Sequence, residues 1–115
     1  SQPIVAGDVT GVGTALALAI SIASVAGAAP LCEELYFRGI LYGRLDARFG
    51  TASAIVGSAG VFGLAHFEPN AFPALFALGL ILGVLRWRSS SVWPGVAMHA
   101  ANNVLATAAL LLAAG

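Results

Sequence analysis

The chain has 115 residues, 59% of them hydrophobic and 9% charged, with five arginines, no lysine, five acids and a formal net charge of zero. A domain this small has too much surface per unit volume to hide so much apolar material from water. That excludes a soluble globular protein, a disordered chain and a nucleic-acid binder, which needs a basic field. One cysteine excludes an intrachain disulfide framework. A membrane-embedded domain remains, and the mean hydropathy of +0.93 agrees.

In chain order, residues 9–32 form a charge-free run of 24 residues, and a helix needs roughly 20 to cross the hydrocarbon. Runs of 17 follow at 49–65 and 69–85, and from Ser89 onward the only ionisable side chain is His99. Lipid offers no partner to an unpaired backbone amide, so helices are expected at about 11–29, 31–47, 51–66, 72–87 and 94–113. Pro30 removes one backbone hydrogen bond, and the first two segments are expected to be one kinked helix rather than two. The fold class is therefore all-α, a polytopic transmembrane bundle of four to five helices. It forms a single membrane-embedded core domain over 1–115. The ends (SQP without an initiating Met, and a stop inside an apolar run) read as those of a fragment of a longer protein. No basic region precedes the first apolar run, as a signal peptide would require.

Arg44 and Arg48 flank one turn, and Arg86 and Arg88 flank another on the same side of an alternating bundle, which should be cytoplasmic. The opposite turn carries only Glu68. Gly79 and Gly83 on one helix, and Gly57, Gly60 and Gly63 on another, offer small faces for close helix approach.

Six of the ten charges fall within sixteen residues: Glu33, Glu34, Arg38, Arg44, Asp46 and Arg48. Ionisable groups at membrane depth are costly and mark function by default. On a helix Glu34 and Arg38 are i and i+4 with the acid first, the favourable order for an ion pair. Glu33 points about 100° away, without such a cation, and is left for proton transfer. An ordinary solvated interface pair would carry the same residues. His66 ends the third apolar run with Phe62 one turn earlier. His99 and Asn103 share one helix face. Singly, each histidine reads as a structural polar contact; with two acids they are the parts of a water-activating or metal-like site. Cys32 reads as a packing residue, since no basic setting activates its thiol.

Glu33 lies 15 residues before Arg48 and His66 lies 15 residues after Thr51. At 1.5 Å per residue both stand about 22 Å from that turn and can meet. His99, only 11 residues past Arg88, falls short on an ordinary helix. The segment Ser89–Gly95, with Trp93-Pro94 as a wedge, is therefore expected to dip into the bundle.

EELYFR, FGLAH and HAANN fit EExxxR, FxxxH and HxxxN in order on apolar segments. In this the chain resembles the CPBP intramembrane protease family of CAAX-prenyl endopeptidases and bacteriocin-processing or Abi proteins. The resemblance runs over about 28–110. It implies peptide-bond hydrolysis within the membrane, with a membrane-associated peptide or protein as substrate. Glu33 and His66 would hold and deprotonate the attacking water, and His99 and Asn103 would stabilise the oxyanion or position that water. Glu34 would pair with Arg38 and fix the helix.

Glu33, His66 and His99 also have the chemistry of a three-ligand zinc site with one open position. A Glu–His pair activates water without metal, and the metal-free version is preferred here. The main alternative is a catalytically silent membrane scaffold or immunity-type protein whose polar cluster only holds helices together. A b-type haem protein with His66 and His99 as axial ligands is disfavoured by the carboxylates. The absence of lysine amid alanine, glycine and arginine suggests a GC-rich bacterial source. The expected location is the bacterial cytoplasmic membrane, with the lipid bilayer as partner and no nucleic acid.

Overall fold

The computed structural model describes the backbone of residues 6–115 and the side chains of residues 11–115. The described chain is all helical. A long rod, α1, runs unbroken through Ala6–Ala23, Ser24–Ala28, Ala29–Glu34, Leu35–Leu41 and Tyr42–Phe49. Then come α2 (Thr51–Leu64), α3 (Phe72–Ser89) and α4 (Trp93–Ala114). The five expected segments thus become four helices, because the first two are one.

Pro30 does not break α1. The five residues before Ala29 form a π-helical turn, with the Ala29 N–H bonded to the carbonyl of Ser24. This wider spacing takes up the proline without ending the helix. A second π-helical stretch spans Leu35–Leu41. Gly50 ends α1 with φ of +91°, a conformation suited to a residue without Cβ. The Gly50 N–H bonds to the Asp46 carbonyl, and Thr51 Oγ1 donates to Asp46 Oδ1, both at 3.0 Å.

Among the described residues, three helical stretches are long and apolar enough to span a bilayer: Gly11–Phe49, Phe72–Ser89 and Trp93–Ala114. With 14 residues, α2 covers roughly 21 Å, short of a hydrocarbon core of roughly 30 Å. It ends two residues before His66, which falls in the following turn rather than in the helix as expected.

Close approach of α2 and α3 follows from the glycines of α3. A Cβ on Gly79 would lie 2.8 Å from the Cα of Ala59, and one on Gly83 would lie 3.3 Å from the Cα of Ile55. On α2, Gly57 faces Leu45 and Gly63 faces the Phe72 ring, whereas Gly60 opens onto free space and packs no helix.

The molecule is inside-out relative to a protein in water. Its fully shielded side chains include Glu34, Arg38 and Ser58, while Val12, Leu16, Leu105 and Leu112 are exposed. In lipid this is the favourable arrangement, since apolar groups need no shelter and charges do. The chain is an integral membrane protein.

Candidate active site

The polar interior is built from α1 and α4 against α2 and α3. Glu34 and Arg38 fall one turn apart on α1 and meet, with Arg38 Nη1 donating to Glu34 Oε1 at 3.0 Å. Arg38 Nη2 donates to the carbonyl of Gly79 on α3 at 3.0 Å, a reach made possible by the missing Cβ there. The guanidinium also lies over the Phe62 ring, 4.7 Å from its centroid, which offsets part of its desolvation.

His99 comes in from α4 and is 3% exposed. Its Nδ1 stands 2.9 Å from Glu34 Oε1, and its Nε2 stands 3.2 Å from Glu33 Oε2. Both ring nitrogens therefore face carboxylate oxygens, and both donate when the ring is an imidazolium. Two carboxylates then balance Arg38 and His99 in one connected chain. Glu33 differs from Glu34 in exposure: its side chain is one-third accessible, and Glu34 is sealed. The pairing of Glu34 with Arg38 expected from spacing is found, and Glu33, which has no cation one turn on, meets His99 instead.

His99 reaches this level because α4 starts deep. Val92 packs beside Gly39, and a Cβ on Gly95 would sit 3.2 Å from Glu34 Oε2. Trp93 itself is exposed, so the entry into the bundle is carried by Val92 and Gly95 rather than by a Trp-Pro wedge.

His66 is placed by Phe62. Its Nδ1 donates to the Phe62 carbonyl at 2.7 Å; a carbonyl can only accept, so in the neutral ring Nε2 keeps its lone pair. The His66 ring packs edge-on against Phe62 with centroids 4.8 Å apart, and His99 packs against the same phenyl ring at 5.6 Å. Phe62, fully shielded, thus spaces the two histidines and carries Arg38. The i, i+4 spacing already put Phe62 beside His66 on one face; its contacts with His99 and Arg38 come from the packing of other helices. Gly79 and Gly95, which admit Arg38 and Glu34, had weaker signals: a GxxxG pair and a Trp-Pro-Gly start.

Asn103 lies one turn beyond His99, and its Nδ2 donates to the carbonyl of Val25 on α1 at 2.8 Å. Cys32 is exposed rather than packed, because it lies two residues before the buried Glu34, about 200° round the helix. An apolar recess of about 570 Å³ lies beside the His66 turn, lined by Gly63, Leu64, Phe67, Glu68, Pro69 and Phe72. Neither glutamate of α1 lines it.

Among the described residues, no group of three or more His, Cys, Asp or Glu side chains is gathered to hold a metal ion. Of the suggested set, His99 Nε2 and Glu33 Oε2 are in contact at 3.2 Å, and the Nδ1 of His66 is taken by the Phe62 carbonyl.

A family model, type II CAAX prenyl endopeptidase Rce1-like, matches residues 15–105. The chain belongs to this Rce1-like family. The match takes in the acidic pair of α1, His66 and the His99–Asn103 turn of α4. Membership in the Rce1-like family makes the chain a CAAX-type intramembrane protease at family level. No curated protein and no solved structure matches the chain.

Proposed function

We propose that the chain hydrolyses a peptide bond of a membrane-associated peptide or protein, using water activated by Glu33 and His66. The observation that carries this reading is the division of the acidic pair. Glu34 is locked between Arg38 and His99, whereas Glu33 keeps an accessible carboxylate held by a single contact to His99. A water between Glu33 and His66 Nε2 gives up its proton as its oxygen attacks the carbonyl carbon. The tetrahedral oxyanion takes the Nε2–H of His99, turned from Glu33. Collapse breaks the C–N bond, and the proton held by Glu33 passes to the leaving amine.

Metal-free catalysis needs only these residues, with Glu33 as the base and His66 and His99 holding the water and the oxyanion. Activity is then expected to persist in a strong chelator; loss in chelator with recovery on adding zinc would refute it. The family name makes a farnesylated peptide ending in Cys-aliphatic-aliphatic-X the first substrate to offer, beside the same peptide without its lipid. The absence of lysine and the richness in alanine support a bacterial cytoplasmic membrane as the location, with the arginine-bearing turns inside.

The test is Glu33→Gln in the full chain reconstituted in lipid. Cleavage is expected to fall by about 10²- to 10⁴-fold, the range for a lost general base, with folding retained. Intact cleavage in that variant would show that Glu33 is not the base. A parent chain that cleaves neither peptide would favour the silent scaffold.

A further inference from the structure

Two backbone carbonyls of α1 are left without their regular helical donors, and each is met by a side chain from another helix. The first is that of Val25. In a regular α-helix it would take the N–H of Ala29, but that N–H goes to Ser24. At the wider π spacing it would take the N–H of residue 30, which is proline and has none. Asn103 Nδ2, from α4, donates to it at 2.8 Å. The second is that of Arg38. At the end of Leu35–Leu41, the Tyr42 N–H bonds to Phe37 and Gly39 on either side of it. The return to α spacing steps over Arg38. Arg86 Nε, from α3, donates to its carbonyl at 3.1 Å, with the guanidinium over the Tyr42 ring.

The segment between these two points, Ala29–Glu34, carries both glutamates. A wide turn adds about one residue to a helix, and one residue is about 100° of rotation. The two wide turns therefore set which way Glu33 and Glu34 point. In lipid an unpaired carbonyl is costly, so a wide turn whose released carbonyl loses its cap tends to revert to regular spacing and rotate the acids away.

We propose that Asn103 and Arg86 are positioning residues, capping the Val25 and Arg38 carbonyls and thereby fixing the rotational phase of Glu33 and Glu34 toward His99. For Asn103 this is a different duty from contact with an oxyanion. The inference rests on the peptidase reading only for its kinetic consequence; its structural half is read without catalysis.

The test uses the full chain in lipid nanodiscs with ¹⁵N-labelled histidine, the two rings told apart by His66→Gln. The imidazole N–H signals of His99 report its bonds to Glu33 and Glu34. Asn103→Leu is expected to displace them, and Pro30→Ala, which supplies an N–H for the Val25 carbonyl, is expected to return them in the double variant. Unmoved signals in Asn103→Leu, or no return in the double variant, overturn the role of Asn103. For Arg86, Gln keeps a donor within reach of the carbonyl and Met does not. Arg86→Gln should hold the His99 signals and Arg86→Met displace them; equal effects overturn that role. Should Asn103→Leu fail to fold while Pro30→Ala/Asn103→Leu folds, the cap is confirmed by rescue; failure of both overturns it.

With the farnesylated peptide, Asn103→Leu should lower kcat by about 10- to 100-fold with KM within about twofold, the signature of misplacement. Pro30→Ala should reverse that loss. Failure to reverse it assigns Asn103 to the oxyanion instead. If the parent does not cleave the peptide, the peptidase reading fails and the histidine signals alone decide the caps.

Discussion

Arg38 and Glu34 are each fully shielded, so removing one leaves the other as a charge in a medium that cannot solvate it. Arg38→Met should cost about 3–5 kcal/mol, the range for a broken buried pair, measured as reversible unfolding in detergent micelles. Glu33 sits beside Glu34 in sequence, yet its substitution should cost far less stability, since its side chain is one-third accessible and its partner is the single nitrogen His99 Nε2. Glu33→Gln, with lost cleavage and a nearly unchanged unfolding midpoint, and Arg38→Met, with lost stability, are thus opposite outcomes from residues five positions apart. An equal loss of stability in both would remove the distinction on which the mechanism rests. The i, i+4 spacing already assigned Arg38 to Glu34. That His99 bridges both acids could not be read, because its 65-residue separation from Glu34 is closed only by the packing of α4 on α1.

Helix α3 meets α2 through positions that have no room for a side chain. Gly79→Ala places a methyl 2.8 Å from the Ala59 backbone and 3.2 Å from Arg38 Nη2. It should therefore push the helices apart at a cost of about 1–3 kcal/mol and loosen the bond from Arg38 to the Gly79 carbonyl. Gly60→Ala, with nothing within 4 Å of the new methyl, is the matched control and should stay within about 0.5 kcal/mol of the parent. Unfolding midpoints of the two variants check both, and equal effects would mean that helix propensity rather than contact governs. Composition and spacing pointed to Gly79 and Gly60 alike. Only the facing helix separates them, because a small-residue stripe does not say which of its members lies at the crossing point.

The assembled chain places its charges at two depths. Arg44, Asp46 and Arg48 end α1 near a turn, whereas Glu33, Glu34 and Arg38 lie about two to four turns back along the helix, where the two acids meet His99. Single cysteines at Arg48 and Arg88, in a Cys32→Ser background, should be shielded from an impermeant thiol reagent in sealed right-side-out vesicles and labelled after permeabilisation. A cysteine at Glu68 should show the reverse. Labelling of all three in sealed vesicles would overturn the orientation drawn from arginine placement. At 14 residues α2 is too short to cross the hydrocarbon by itself, and the turn after it holds His66; on the proposed reading this is the end by which water reaches the site. A hydrolase in lipid requires such access.

From the sequence alone came the membrane setting, the helical class, the pairing of Glu34 with Arg38 and the three motifs that belong together. Each of these depends on local spacing or on the cost of leaving a charge or an amide unpaired in lipid. That α1 runs on through Pro30 was expected, but the two wide turns were not legible, nor were the role of Phe62 as a spacer between histidines or the partner of Asn103. Those were decided by tertiary structure. A released carbonyl, a ring nitrogen or a missing Cβ acquires meaning only from the neighbouring helix that fills it, and such neighbours lie 41–78 residues away along the chain.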